Sequence, residues 1–266
     1  MAAAADSDRN AAGVICVASL SSRAMATEEI SFSPEKATPE DRPLFITGLP
    51  RSGTSMTAGI FATLGIWTGT TVPGNEDNPK GYFEHVILRE QVTKAVLAAH
   101  GFDPLGIRPL PPRDFNPSIE FNHSFTLRQA IDTIIRNDGY KSGSSWLYKG
   151  PKMSLLWRIY DSAFPNAIWI VASRKREDFV RSCLKTHFMS RHSTDPSFWH
   201  RYAEEYEQRL ADLAGAVAAY HVVKADDIIR GDFSGIEHIC RTHDLHFQLD
   251  RVAEFVSPRF WNSPTE

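Results

Sequence analysis

The chain has 266 residues and a net charge of −3, with 29 Lys and Arg against 32 Asp and Glu. That length is enough to bury a sizeable core as one α/β domain. The charge balance excludes a bulk nucleic-acid or membrane-surface binder, so any positive field must be local. The three Cys (Cys16, Cys183 and Cys240) are too far apart for a disulfide framework or a zinc site, and they suit a reduced, cytoplasmic setting. His238 and His243 straddle Cys240, but no second Cys lies nearby, and this cluster reads as a polar helix end with no metal.

Residues 1–42 differ in texture from the rest. They hold a low-complexity Ala run and the apolar stretch 11–20, too short to span a bilayer. Asp6 and Asp8 precede that stretch, which is wrong for a secretory n-region. The segment reads as a tail, with the proline-containing Ser33–Pro43 as its linker. Residues 43–266 read as one domain. In chain order the pattern predicts strand Leu44–Thr47, helix Thr54–Leu64, a Gly/Pro/Asn loop to Tyr82 and helix Val86–Ala99. A proline-rich excursion follows over Gly101–Asn116. Apolar residues then recur at helical spacing from Ile119 to Asn137, through Phe121, Phe125, Ile131, Ile134 and Ile135. Strand Trp146–Tyr148 precedes helix Met153–Ala163, and strand Ala167–Ala172 precedes helix Glu177–Phe188. A long amphipathic helix, Ser197–Ala219, leads to strand Tyr220–Lys224 and helix Phe233–His243. Such alternation predicts a three-layer α/β fold, a central parallel sheet flanked by helices, with ligands at the carboxyl ends of the strands.

The first strand runs into Gly48-Leu49-Pro50-Arg51-Ser52-Gly53-Thr54-Ser55 and then into a helix. A strand–turn–helix of this composition gathers backbone N–H groups and the helix dipole around one point, which makes an anion site. Gly48 and Gly53 have the spacing of a Walker A loop, but Thr54 stands where that motif has Lys, and the cation sits inside the loop as Arg51. After the strand Ala167–Ala172 comes Ser173-Arg174-Lys175-Arg176, with Asp178 and Ser182 beyond. An Arg at a strand end and a Ser about two helical turns on can converge on a phosphate. Arg176 adds charge that suits the same pocket.

Pro50–Ser55 resembles the 5′-phosphosulfate loop of PAPS-dependent sulfotransferases in their bacterial and Golgi-type form (PAPS is 3′-phosphoadenosine 5′-phosphosulfate). Arg174 and Ser182 fit that family's 3′-phosphate site. Asn78-Pro79-Lys80-Gly81-Tyr82-Phe83-Glu84 and Trp146-Leu147-Tyr148-Lys149-Gly150-Pro151-Lys152 are similar to two further family segments, with Gly150 replacing the usual Asp of the second. The likeness runs from about Pro43 to about Arg259. It implies a P-loop-NTPase-like sulfotransferase fold and PAPS as donor, with Arg51, Ser52, Gly53, Thr54, Ser55, Arg174 and Ser182 binding it and no metal needed. It also implies Arg51 and Lys149 as the cations facing the departing phosphate, with Glu84 as the base and His85 as the alternative. Glu84 also reads as a first-turn carboxylate of the helix at Val86, and Lys149 as a strand-end surface Lys. The competing function is a P-loop kinase, for which the loop Lys and a Walker B Asp are missing, or a non-catalytic nucleotide-binding protein. The acceptor is expected in the loops Thr68–Pro79, Gly101–Asn116 and Met189–Phe198, with Trp67, Phe102, Phe115, His192 and Phe198 as candidate stacking groups. Family analogy favours a carbohydrate or glycolipid hydroxyl; an amine or a small alcohol stays open.

Overall fold

Four short strands form one parallel sheet in the order β2-β1-β3-β4: β1 Leu44–Gly48, β2 Leu147–Lys149, β3 Ile168–Ser173 and β4 Ala219–Lys224. The computed structural model describes residues 42–118 and 126–256. The N-terminal tail, Ile119, Phe121 and Phe125 of the long apolar pattern, and the residues after Val256 lie outside the described residues. The helices are α1 Thr54–Thr63, α2, which starts as the π-helix Leu88–Lys94 and ends as the α-helix Ala95–Ala99, α3 Leu127–Asn137 and α4 Trp157–Ala163. They continue as α5 Arg176–Lys185, α6 His187–Ser190, α7 Pro196–Ala216, α8 Ala225–Ile229, α9 Ser234–Thr242 and α10 Leu249–Val256.

The central strands are apolar on both faces because helices cover both faces. Successive side chains of β1 point to opposite sides. Leu44 and Ile46 enter a core with Met56, Ile60 and Phe61 of α1, Ile236 and Ile239 of α9, and Val252 of α10. Phe45 enters the other core, where Trp146, Tyr160, Phe164 and Trp169 meet its ring edge-on at 5.0 to 6.0 Å. Each such ring pair adds about 0.5–1.5 kcal/mol beyond its area burial. β4 is one of the two edge strands, with β2, and leaves Val222 half exposed.

Several expected helices end or change where the backbone demands it. The predicted helix Met153–Ala163 divides into a 3-10 turn, Pro151–Leu155, and α4, because Leu156 leaves helical geometry at φ −122°. The helix expected to reach Phe188 stops at Lys185, where Thr186 is extended, and resumes as α6. Val217 is extended as well, so α7 ends at Ala216 and Ala219 joins β4 instead. The proline-rich excursion is tied down on α7: Tyr202 and Tyr206 both donate to Gly106 O, at 2.9 and 3.0 Å, and buried Arg209 donates to Pro111 O at 2.6 Å.

Candidate functional site

The loop after β1 is built by close approach. Gly48, at φ +142°, lies so near β3 that a Cβ would fall 2.4 Å from Ala172 O. Arg51 takes a left-handed φ of 66°, rare for a side-chain-bearing residue outside functional loops. Gly53, at φ +95°, opens α1, and a Cβ there would meet Ala225 Cβ at 2.7 Å. The Ser52 hydroxyl points inward, donating to Leu49 O (2.7 Å) or Ala172 O (2.9 Å), while its N–H reaches Leu49 O. Ser52 therefore holds the loop shut, and its side chain does not line the cavity beneath. Gly53, Thr54, Ser55 and Met56 have backbone N–H groups with no hydrogen-bond partner among the described residues, and all four residues line the cavity. Unpaired amides at a helix start are an anion site.

The cavity encloses about 950 Å³ at the carboxyl ends of β1, β2 and β3. Eight of its lining side chains are Lys or Arg and three are Asp or Glu. Arg174 follows the end of β3, with a buried Nε that has no hydrogen-bond partner among the described residues. Ser182 on α5 accepts from Arg51 Nε at 3.2 Å, so groups the sequence assigns to two phosphate positions meet across the loop. Asp178 pairs with Arg181 at 2.8 Å beside them.

Lys149, the last residue of β2, is 2% exposed and donates from Nζ to Glu84 Oε1 at 2.8 Å; Glu84 is 7% exposed. Arg89 Nε lies 3.4 Å from Glu84 Oε2 and 3.1 Å from Glu90 Oε1. Burial pushes the Glu84 carboxyl up, but Lys149, Lys152 and Arg89 outweigh it and hold its pKa at about 2. Burial lowers the Lys149 ammonium against the pull of Glu84. Gly150, where the resembling families have Asp, is extended at φ −168°, its N–H bonded to Ile46 O and its carbonyl to Thr47 Oγ1. Lys149 is oriented from across the cavity by Glu84.

His85 follows Glu84 on an extended stretch bridged to Thr71, so its side chain points the opposite way. It is 1% exposed, tilted against Trp67, with Nε2 3.2 Å from Asp138 Oδ2, and it does not line the cavity. The expected phosphate-pocket role of Arg176 is also overturned: it pairs with Glu207 on α7, outside the cavity. The three loops expected at the acceptor end do reach the cavity, but not through the expected aromatics. Trp67 packs on Tyr140, Phe102 on Phe115, and Phe198 on Trp199. Val72, Leu105, Ile107 and Met189 line the space instead, with Tyr82 and Phe188 as its aromatic groups. Sequence reasoning missed Arg89, Lys94, Arg181 and Lys185, which carry much of the charge of the cavity.

Among the described residues no group of three or more His, Cys, Asp or Glu is arranged to hold a metal, and no helix is long and apolar enough to cross a membrane.

Helix-start amides and an Arg174 Nε without partners among the described residues lie with a buried Lys–Glu pair at one edge of a parallel sheet, a geometry suited to an anionic ligand. The chain belongs to the Sulfotransferase family, whose model matches residues 43–248. Its fold is similar to a sulfotransferase domain from the curacin biosynthetic pathway, at TM-score 0.52 and 12% identity over 80% of this chain and 77% of the other. It is also similar to the sulfotransferase domain of the Synechococcus PCC 7002 olefin synthase, at TM-score 0.52 and 15% identity over 86% and 82%. Comparison with curated proteins gives no match.

Proposed function

We propose that the protein transfers a sulfuryl group from PAPS to a hydroxyl or amine of an acceptor, with Glu84 as base. The observation that carries this reading is the junction of the donor-type loop with the buried Lys149–Glu84 pair in one cavity. The residues fit the donor. The free amides of Gly53 to Ser55 and the Arg51 guanidinium suit its phosphosulfate. The partnerless Nε of Arg174 and the Ser182 hydroxyl suit its 3′-phosphate. Arg51 would exchange Ser182 for the donor. The volume of about 950 Å³ leaves room for a nucleotide and a small acceptor together.

The bond between sulfur and the bridging phosphate oxygen breaks as the acceptor oxygen or nitrogen bonds to sulfur, the acceptor proton passes to Glu84, and PAP leaves. Arg51 and Lys149 act on charge that grows on the departing phosphate, where fixed cations in a water-poor site count most. A carboxylate held at about 2 is a weak base. We take the Lys149 pair to be the resting arrangement. When the donor becomes the partner of Lys149, Glu84 loses the strongest of the cations that depress it, and burial lifts its basicity. His85 faces away from the cavity, and we assign it no part in proton transfer. Two buried free thiols, Cys183 and Cys240, suit a reduced cytoplasmic setting.

The test is radiolabel transfer. With ³⁵S-labelled PAPS and a panel of sugars, glycolipids, amino sugars and simple alcohols, label should move to an acceptor and PAP should accumulate. Transfer of ³²P from γ-labelled ATP instead would replace this reading with the kinase one.

A further inference from the structure

Beyond Glu84, away from the donor loop, the cavity stays cationic. Lys152 lines it, and its amine makes no hydrogen bond or ion pair among the described residues. Its charged neighbours are Glu84, Arg89, Lys149 and Lys94, whereas Lys149 also feels Arg51. A Cβ on Gly106 would meet Lys152 Cγ at 2.9 Å, so the Lys152 side chain lies beside the Gly101–Asn116 loop expected at the acceptor end. Arg89 and Lys94 come from the π-helical start of α2. In an α-helix of 3.6 residues per turn, positions five apart point about 140° away from each other. The i→i+5 winding of the Leu88–Lys94 segment brings them onto one face, and both line the cavity. Their facing carboxylates are Glu84 and Glu90. Glu90 pairs with Lys94 at 2.8 Å, and Arg89 meets both carboxylates in contacts too poorly aligned for its Nε to make a hydrogen bond. Four cations thus share two carboxylates. Burial lowers the Lys152 ammonium, so the amine lacks a strong enough counter-charge of its own.

We propose that Lys152, Arg89 and Lys94 form a subsite for an oxyanion carried by the acceptor, a carboxylate, phosphate or sulfate group set next to the hydroxyl or amine that faces Glu84. This rests on the reading of Lys149 and Glu84 as the reacting end of the cavity. A guanidinium with two ammonium groups is suited to clamp such an anion. The anion would supply the counter-charge that Lys152 lacks and fix the acceptor's orientation at the base.

Matched pairs test it. 4-Nitrophenyl β-glucuronide and 4-nitrophenyl β-glucoside differ in a carboxylate. N-acetylglucosamine 6-phosphate and N-acetylglucosamine differ in a phosphate. Each is titrated into the full chain by calorimetry, with and without saturating PAP, whose own affinity is measured first. In at least one pair the charged member should bind about tenfold or more tighter, the pair identifying which oxyanion is preferred. Lys152→Gln should cut that preference to about threefold or less, and Lys152→Arg should keep it, with PAP affinity unchanged in both. Equal binding within both pairs, no detectable binding of any member, or a preference that survives Lys152→Gln would overturn the subsite. Failure of PAP to bind would instead count against the donor reading, and the titrations without PAP would still decide the subsite.

Discussion

Replacing Glu84 by Gln keeps the shape of the side chain and removes the carboxylate that Lys149 meets at 2.8 Å in a site where Lys149 is 2% exposed. The change therefore strands a buried ammonium. The Glu84 carboxyl is held at about 2 against an ordinary 4.5, a depression worth roughly 3 kcal/mol at neutral pH. Removing one partner of a buried pair commonly costs about 3–5 kcal/mol, in the same range. For a domain of this size a loss of about 3 kcal/mol lowers the melting temperature by roughly 6–12 °C. The sign with pH follows from the depressed carboxyl. Its stabilisation is complete above the ordinary carboxylate range and fades as pH falls through about 2, so the gap between wild type and Glu84→Gln should be constant near neutrality and shrink below pH 4.5. Lys149→Met added to Glu84→Gln should recover part of the loss, because the stranded Lys149 charge is then gone while Lys152 and Arg89 still lack Glu84. The assay is thermal unfolding by circular dichroism across pH for the wild type and both variants. A Glu84→Gln melting temperature within about 1 °C of wild type, or a double variant no more stable than the single, would refute the buried pair.

In ³⁵S transfer, Glu84→Gln should cut turnover roughly 10²–10⁴-fold with PAP affinity nearly kept, while His85→Asn should act only through stability. Arg174→Ala should weaken PAP by about 1.5–3 kcal/mol in calorimetry, and adenosine 5′-phosphosulfate, which lacks the 3′-phosphate, should bind wild type and variant alike. Gly53→Ala should impair PAP binding as well, since φ +95° and the 2.7 Å approach to Ala225 both oppose a Cβ, whereas Gly150→Ala should be silent because its backbone is extended and its Cβ would meet only ordinary contacts. EDTA should leave sulfate transfer unchanged; loss of activity restored by Mg²⁺ would count against the mechanism.

The sheet and the strand–turn–helix at Gly48–Ser55 were legible because strand-to-helix transitions are written in local composition. An apolar run ending in Gly-Leu-Pro-Arg-Ser-Gly admits few other structures, and Lys149, Glu84 and Arg174 lie in segments of recognisable residue order. What escaped was decided by direction and winding. The Ser52 hydroxyl turns inward to Leu49 and Ala172, and His85 lies one residue from Glu84 yet on the opposite side of an extended chain. Arg89 and Lys94 share a face only because the helix there is π-wound, and no periodicity argument based on 3.6 residues anticipates that. Trp67, Phe102, Phe115 and Phe198 were misplaced because each finds an aromatic partner packed on the core, which a composition-based reading of loops does not weigh, while exposed His192 meets the edge of Phe188 outside the cavity lining. The short helix α8 and the terminal α10 also went unread; α10 is held by α1, where its Phe255 fills the space left by Gly59.

The proposed function requires this cavity to take a 3′-phosphorylated sulfuryl donor and not a nucleoside triphosphate. Thermal unfolding of the wild-type chain in the presence of PAP, and separately of ATP with Mg²⁺, tests it most directly. A ligand that binds the folded state at a hundred times its Kd adds about 2.7 kcal/mol of stability, a shift of several degrees. PAP should give that shift and Mg²⁺–ATP little, and Arg174→Ala should lose the shift with PAP. A shift with Mg²⁺–ATP and none with PAP would contradict the proposed function.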